Sequence, residues 1–180
     1  MRYASIRELD ISNGEGVGVA LFVQGCHFHC TNCFNPDTWD FSGGKEWTPE
    51  VEDKLIELAN RPYIKRLSIL GGEPLADENL DGILHLVNRF RLSLPNKTIW
   101  IYSGYTWENI MKYEYGTKYI NNFNTDALRQ CVVSKCDVLV DGRYIDSQRN
   151  PSKKWAGSDN QRVIDIRKSL EQNKIILYCD

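Results

Sequence analysis

Residues 17–33 read VGVALFVQGCHFHCTNC. The first part, 17–25, is apolar but for Gln24, rich in valine, and ends at Gly25. Such a run suits a strand covered on both faces, because neither side chain set has to meet water. Directly after it come Cys26, Cys30 and Cys33, three thiols within eight residues, with His27 and His29 between them. A buried strand that empties into a cysteine loop places reactive side chains at a strand's carboxyl end. In folds with parallel strands that edge is where ligands bind.

The rest of the chain repeats this strand-then-helix order. Strands are expected at 66–72 (RLSILGG), 98–104 (TIWIYSG) and 137–142 (DVLVDG). Helices are expected from Thr48, as an N-cap followed by Pro49, and over 78–90 and 125–135. Val51, Leu55, Leu58 and Ala59 share one face of the first helix, and Leu80, Leu84 and Val87 one face of the second. In the third, Leu128, Cys131 and Val132 point inward. RVIDI and KIILY, near the C-terminus, read as two short strands with a turn between them, and 113–124 reads as a loop. Apolar strands alternating with amphipathic helices require crossover connections, so the fold class is α/β with a mainly parallel sheet. Cys26, Gly71, Ser103 and Asp141 then all fall at one edge of that sheet.

The 180 residues suit a single domain spanning 1–180. With 22 basic and 24 acidic residues the formal charge is −2, which gives no reason to expect nucleic acid or an anionic membrane as partner. The first residues, MRYASIRELDISNGEG, lack the apolar run of a signal peptide, and no stretch approaches the length of a membrane span, so the expected compartment is the cytoplasm. Six cysteines, three of them clustered, do not form a disulfide framework. The tight cluster points to metal or redox chemistry.

Three thiolates can hold three corners of an iron–sulfur cube and leave the fourth iron for a substrate; thiolate is the usual soft ligand for such a cluster. Zinc is the rival, with Cys30-x-x-Cys33 as half of a structural site that needs a second ligand pair elsewhere. A reactive thiol is the third reading. Cys131, Cys136 and Cys179 read as small hydrophobes. Gly71 and Gly72 allow a backbone turn to approach a ligand closely, and Glu73 offers a carboxylate beside them.

CHFHCTNC resembles the CxxxCxxC loop of the radical S-adenosylmethionine (SAM) enzymes. Phe34 to Trp39, FNPDTW, resembles the segment that follows it in the activating proteins of glycyl-radical enzymes. GGEP at 71–74, YSGYTWE at 102–108, DVLVDGRY at 137–144 and GSDNQRVID at 157–165 are similar to the branch that acts on anaerobic ribonucleoside-triphosphate reductase, and they occur in the same order. Most radical SAM enzymes carry an aromatic residue before the last cysteine; here it is Asn32, and this branch accepts small or polar residues there.

The resemblance implies a compact partial (β/α) barrel with one [4Fe-4S] cluster per chain on Cys26, Cys30 and Cys33. It implies SAM bound by Asn32, Cys33 and Phe34 on the nucleoside side and by Gly71, Gly72 and Glu73 at the methionine end, with Ser103 and Tyr105 bordering the pocket. The implied chemistry is reductive SAM cleavage followed by glycyl-radical formation on the reductase. The electron would come from reduced flavodoxin or a similar donor. The cluster and SAM carry the chemistry, so no catalytic acid–base pair is nominated. Activation of another glycyl-radical enzyme, such as pyruvate formate-lyase, and a non-enzymatic metal-binding module remain as alternatives. Arg143, Arg149, Lys153, Lys154 and Arg162 make the late segment basic, a docking face for the reductase on this reading, with Trp39, Trp47 and Trp155 as candidate contacts.

Overall fold

The computed structural model describes residues 1–112 and 125–179. The expected loop at 113–124 lies outside the described residues. The described chain forms β1 (Arg2–Asp10), β2 (Gly18–Val23), β3 (Lys45–Glu46), α1 (Pro49–Asn60), β4 (Arg66–Gly71), α2 (Asp77–Ser93), β5 (Thr98–Ser103), α3 (Trp107–Ile110), α4 (Thr125–Ser134), β6 (Val138–Asp141), β7 (Arg162–Asp165) and α5 (Ile166–Gln172). One sheet holds the strands in the order β3-β1-β2-β4-β5-β6-β7. Its central strands β2, β4, β5 and β6 run parallel, and β1, β3 and β7 pair antiparallel at the flanks. This mixed sheet with flanking helices is the expected partial (β/α) barrel.

The strand alternation sorts side chains onto two faces. Val19, Leu21, Val23, Leu67, Ile69, Ile99, Ile101 and Leu139 point to the helices and share one core with Leu55 and Leu58 of α1, Leu80, Ile83, Leu86 and Phe90 of α2, and Val132 and Val133 of α4. Thr48 caps α1 by accepting from the Val51 N–H, worth about 1 kcal/mol. The opposite face carries two smaller clusters, Trp100 with Val138, Val140 and Val163, and Ala20 with Phe22 and Leu70. On that face Arg66 is fully buried and pairs with the Asp10 carboxylate at 2.8 Å, which fastens the end of β1 to the sheet.

Three features depart from the expectation. Strand β1 is present where no strand was read, because Leu9 and Ile11 face solvent and spoil the alternation. The segment between RVIDI and KIILY is the helix α5, started by the Asp165 side chain accepting from the Lys168 N–H and ended by Asn173 at φ +48°. KIILY is therefore not a strand of the sheet; it contributes an isolated bridge between Leu177 and Ile164. Among the described residues no helix is long and apolar enough to cross a membrane.

Candidate active site

The carboxyl ends of β2, β4, β5 and β6 open on one cavity of about 590 Å³. Cys26, Cys30 and Cys33 line it from the loop after β2, Gly71, Gly72 and Glu73 from the turn after β4, and Ser103 from the end of β5. Phe34 also lines it but stays 60% exposed at the mouth. Of the residues the resemblance assigned to the cluster or SAM, all line this cavity except Asn32 and Tyr105.

The base of the cysteine loop is stapled by backbone. Gly25 N–H donates to Thr38 O at 2.8 Å and Cys26 N–H to Trp39 O at 3.0 Å, so FNPDTW closes the loop on itself. Burial pushes the Cys26 thiol up, while the backbone N–H groups of Phe28 and His29 pull it back. The Asn35 N–H points at Cys33 Sγ at 3.4 Å. Backbone donors aimed at sulfur favour a thiolate or a cluster sulfur ligand over a neutral thiol.

The turn after β4 leans against that loop. Gly72 N–H donates to Val23 O at 2.9 Å and Glu73 N–H to Gly25 O at 2.7 Å. Gly71 takes φ +110°, and a Cβ on Gly72 would sit 2.4 Å from the Gly25 carbonyl oxygen. The two glycines are therefore needed for the turn to touch the cysteine loop at all. Gly72→Ala should cost about 1–3 kcal/mol, because backbone rather than a mobile side chain has to move. Thermal unfolding of the apoprotein measures this, and an unchanged midpoint would show that the turn has slack.

Glu73 is buried, not solvated. Its Oε1 accepts from the Leu75 N–H and the Ser103 hydroxyl, each at 2.8 Å, and its Oε2 from the Gly104 N–H at 2.7 Å. Burial raises its pKa to about 7, and those three donors together with Arg129 hold it from rising further. An ionised carboxylate accepts about four hydrogen bonds, so the three donors leave one acceptor position unused.

The far wall comes from 142–161, whose part in the cavity was not read from sequence. Gly142, Arg143, Tyr144, Gly157 and Gln161 line it. The polar residues of GSDNQR fold that wall. Gln161 Oε1 accepts from the Gly157 and Ser158 N–H groups, its Nε2 donates to Gly142 O, and Asn160 Nδ2 donates to Arg143 O. Tyr102 Oη is buried with no hydrogen-bond partner among the described residues, and Tyr102 also lines the cavity.

Other singled-out residues go elsewhere. Asn32 turns its amide to Asp146 at 2.8 Å. His27 meets Glu78 at 2.9 Å and His29 stacks on Trp39. Tyr105 packs edge-on against Phe28. Cys136 is buried and Cys131 and Cys179 are half-buried, all away from the cavity. Arg162 does not serve a free basic face: it binds Asp141 and Glu108, holding the Glu108 carboxyl down at about 2. Trp39, Trp47 and Trp155 are half-buried rather than exposed, and of the three Trp155 does line the cavity.

The donor set fits an iron–sulfur cluster. Three thiols line one cavity, two of them with backbone N–H groups at the sulfur. Among the described residues no three His, Cys, Asp or Glu side chains converge to hold a single metal ion. A multi-iron cluster distributes its thiolates over separate irons and does not ask them to meet at one point.

A three-cysteine loop facing a glycine–glycine–glutamate turn, at the carboxyl edge of a partial (β/α) barrel, defines the radical SAM enzymes. Residues 12–164 match the family model described as a 4Fe-4S single cluster domain. The chain is 37% identical over 165 residues to the anaerobic ribonucleoside-triphosphate reductase-activating protein of Vibrio cholerae, covering 91% of this chain and 97% of the relative. It is 36% identical over 169 residues to the Escherichia coli K12 protein of that name, covering 93% and 100%. For the protein of enterobacteria phage T4 the identity is 35% over 164 residues, covering 91% and 93%. The chain belongs to the family of anaerobic ribonucleoside-triphosphate reductase-activating proteins.

Proposed function

We propose that this protein activates anaerobic ribonucleoside-triphosphate reductase by cleaving SAM reductively and generating a glycyl radical on the reductase. The observation that carries the reading is the single cavity shared by Cys26, Cys30, Cys33 and the Gly71–Glu73 turn. A [4Fe-4S] cluster held by the three thiolates supplies, when bound, the electron that breaks the sulfonium carbon–sulfur bond of SAM. The electron donor on this reading is reduced flavodoxin or a similar protein, and the setting is the cytoplasm.

The chain's own part is placement. Gly71 and Gly72 let backbone reach the methionine end of SAM. The free acceptor position of Glu73 takes the SAM ammonium as a charge-assisted hydrogen bond. Ser103 holds that carboxylate in place through Oε1. Phe34 and Cys33 border the nucleoside side. Fixing the sulfonium beside the cysteine loop turns electron delivery into a positioned, intramolecular event. The reductase closes the open mouth itself, which excludes water and brings a flexible glycine to the site.

Anaerobic reconstitution tests the reading. Expected are iron and sulfide in equal amounts, a change in the reduced protein's electron paramagnetic resonance spectrum on adding SAM, and formation of methionine with 5′-deoxyadenosine. Bound zinc without sulfide would replace this account with that of a metal-binding interaction module.

A further inference from the structure

The loop from Cys26 to Phe34 carries three thiols, and two of its other residues, His29 and Asn32, adopt left-handed backbone at φ +45° and +54°. Left-handed geometry is unfavourable for residues with a Cβ, although asparagine tolerates it better than most. Asn32 lies between Cys30 and Cys33, so its conformation sets how those two sulfurs are presented. A contact from outside the loop can hold it.

The segment after β6 supplies that contact. Asn32 Nδ2 donates to Asp146 Oδ2 at 2.8 Å, across 114 residues of sequence. Asp146 Oδ1 in turn accepts from the Tyr144 hydroxyl at 2.8 Å, and the Tyr144 ring packs on Phe34 with centroids 4.9 Å apart. At the other end of the loop Arg143 donates to Phe28 O at 2.7 Å and lies over the Phe28 ring. Residues 143–146 thus grip the loop on both sides of Cys30.

We propose that Asp146 is a positioning residue for the cysteine loop: its contact with Asn32 holds the left-handed turn that presents Cys30 and Cys33. Asn32 is then a tether of the loop instead of a contact to SAM. The proposal rests on the reading of Cys26, Cys30 and Cys33 as cluster ligands. If the wild-type protein takes up no iron and sulfide, that reading fails by itself, before any variant is compared.

The pairing is directional, so a swap can test it. Asn32→Asp sets two carboxylates against each other. Asp146→Asn keeps an acceptor for the Asn32 amide and lets the new amide donate to the Tyr144 oxygen. Combining the two recreates an amide–carboxylate pair with the roles exchanged. The measurement is the rate at which the reconstituted, full-length protein loses iron to a chelator under anaerobic conditions, alongside the melting temperature of each apoprotein. Asp146→Ala and Asn32→Asp are expected to lose iron about tenfold faster than wild type, as coupled neighbours do when their interaction is removed. Asp146→Asn and the double variant are expected to stay within about twofold of wild type. Apoprotein melting should be unchanged throughout. A double variant that loses iron as fast as Asn32→Asp overturns the proposal, and so does wild-type retention in Asn32→Asp. Iron loss that merely follows a falling apoprotein melting temperature would mark a general fold contact and overturn it as well.

Discussion

Replacing Cys26, Cys30 or Cys33 with serine is expected to bring iron in the reconstituted protein down to background and to abolish SAM cleavage. Each thiol lines the same cavity, and no other described cysteine does. Serine keeps the size but offers a hard, weakly acidic hydroxyl in place of the soft thiolate that iron–sulfur clusters prefer. The two histidines of the loop are engaged elsewhere: His27 is held by Glu78 and His29 packs against Trp39. Cys179→Ala is the contrasting variant. Cys179 packs against the Trp100 cluster and does not line the cavity, so iron content and cleavage should match wild type. Iron at wild-type levels in any one of the three serine variants would remove that cysteine from the ligand set.

The second large effect is expected at Glu73. On the proposed reading, Gln in its place loses the charge offered to the SAM ammonium, and it also brings an amide N–H against a backbone N–H that now donates to the carboxylate, such as that of Gly104 at 2.7 Å. Losing a charged hydrogen bond is worth about 1.5–3 kcal/mol, which corresponds to SAM binding weaker by roughly 10- to 100-fold. The pH dependence has a definite sign. The Glu73 pKa is raised from 4.5 to about 7 in the folded protein. Between those values the folded state keeps a proton that the unfolded state has lost. Stability attributable to Glu73 is therefore complete below about pH 4.5 and falls as pH rises to about 7, by at most about 3 kcal/mol. SAM binding should run the opposite way, strengthening as pH passes 7 and Glu73 ionises. Glu73→Gln should flatten both trends. SAM titrations of iron-replete protein at pH 6 and pH 8, paired with denaturant unfolding, check them; a variant that keeps both slopes would take Glu73 out of the site.

These effects trace to features of differing visibility in the sequence. The cysteine triplet and Gly71–Gly72 were legible because ligand spacing and positive-φ turns are local properties. The central strands were legible because strands covered on both faces read as largely apolar runs, as in 17–23; 66–72 carries Arg66 and Ser68 but keeps Leu67, Ile69 and Leu70 before its two glycines. Strand β1 was not, since it is a flank strand whose Ile6 is half-buried while Leu9 is exposed, leaving no clear period. KIILY has a strand's composition, but Asp165 caps a helix just upstream and the chain returns only far enough for one bridge. The burial of Glu73 was also hidden, because its partners Ser103 and Gly104 come from β5 and the turn after it. The wall at 142–161 was visible as motifs but not as geometry. Its grip on the cysteine loop depends on pairs such as Asn32 with Asp146, which only the folded sheet brings together.

Phe34 stands exposed at the mouth of the cavity, beside the exposed Arg143 and Arg149. On the proposed reading a protein substrate docks there and shields the cavity, so productive SAM cleavage should depend on the reductase. The most direct test mixes the reduced, cluster-loaded protein with SAM and the anaerobic reductase carrying deuterium at its target glycine. The account predicts a glycyl-radical signal on the reductase and deuterium in the 5′-deoxyadenosine formed. Unlabelled 5′-deoxyadenosine with no protein radical, and label transferred instead from a small molecule, would contradict it.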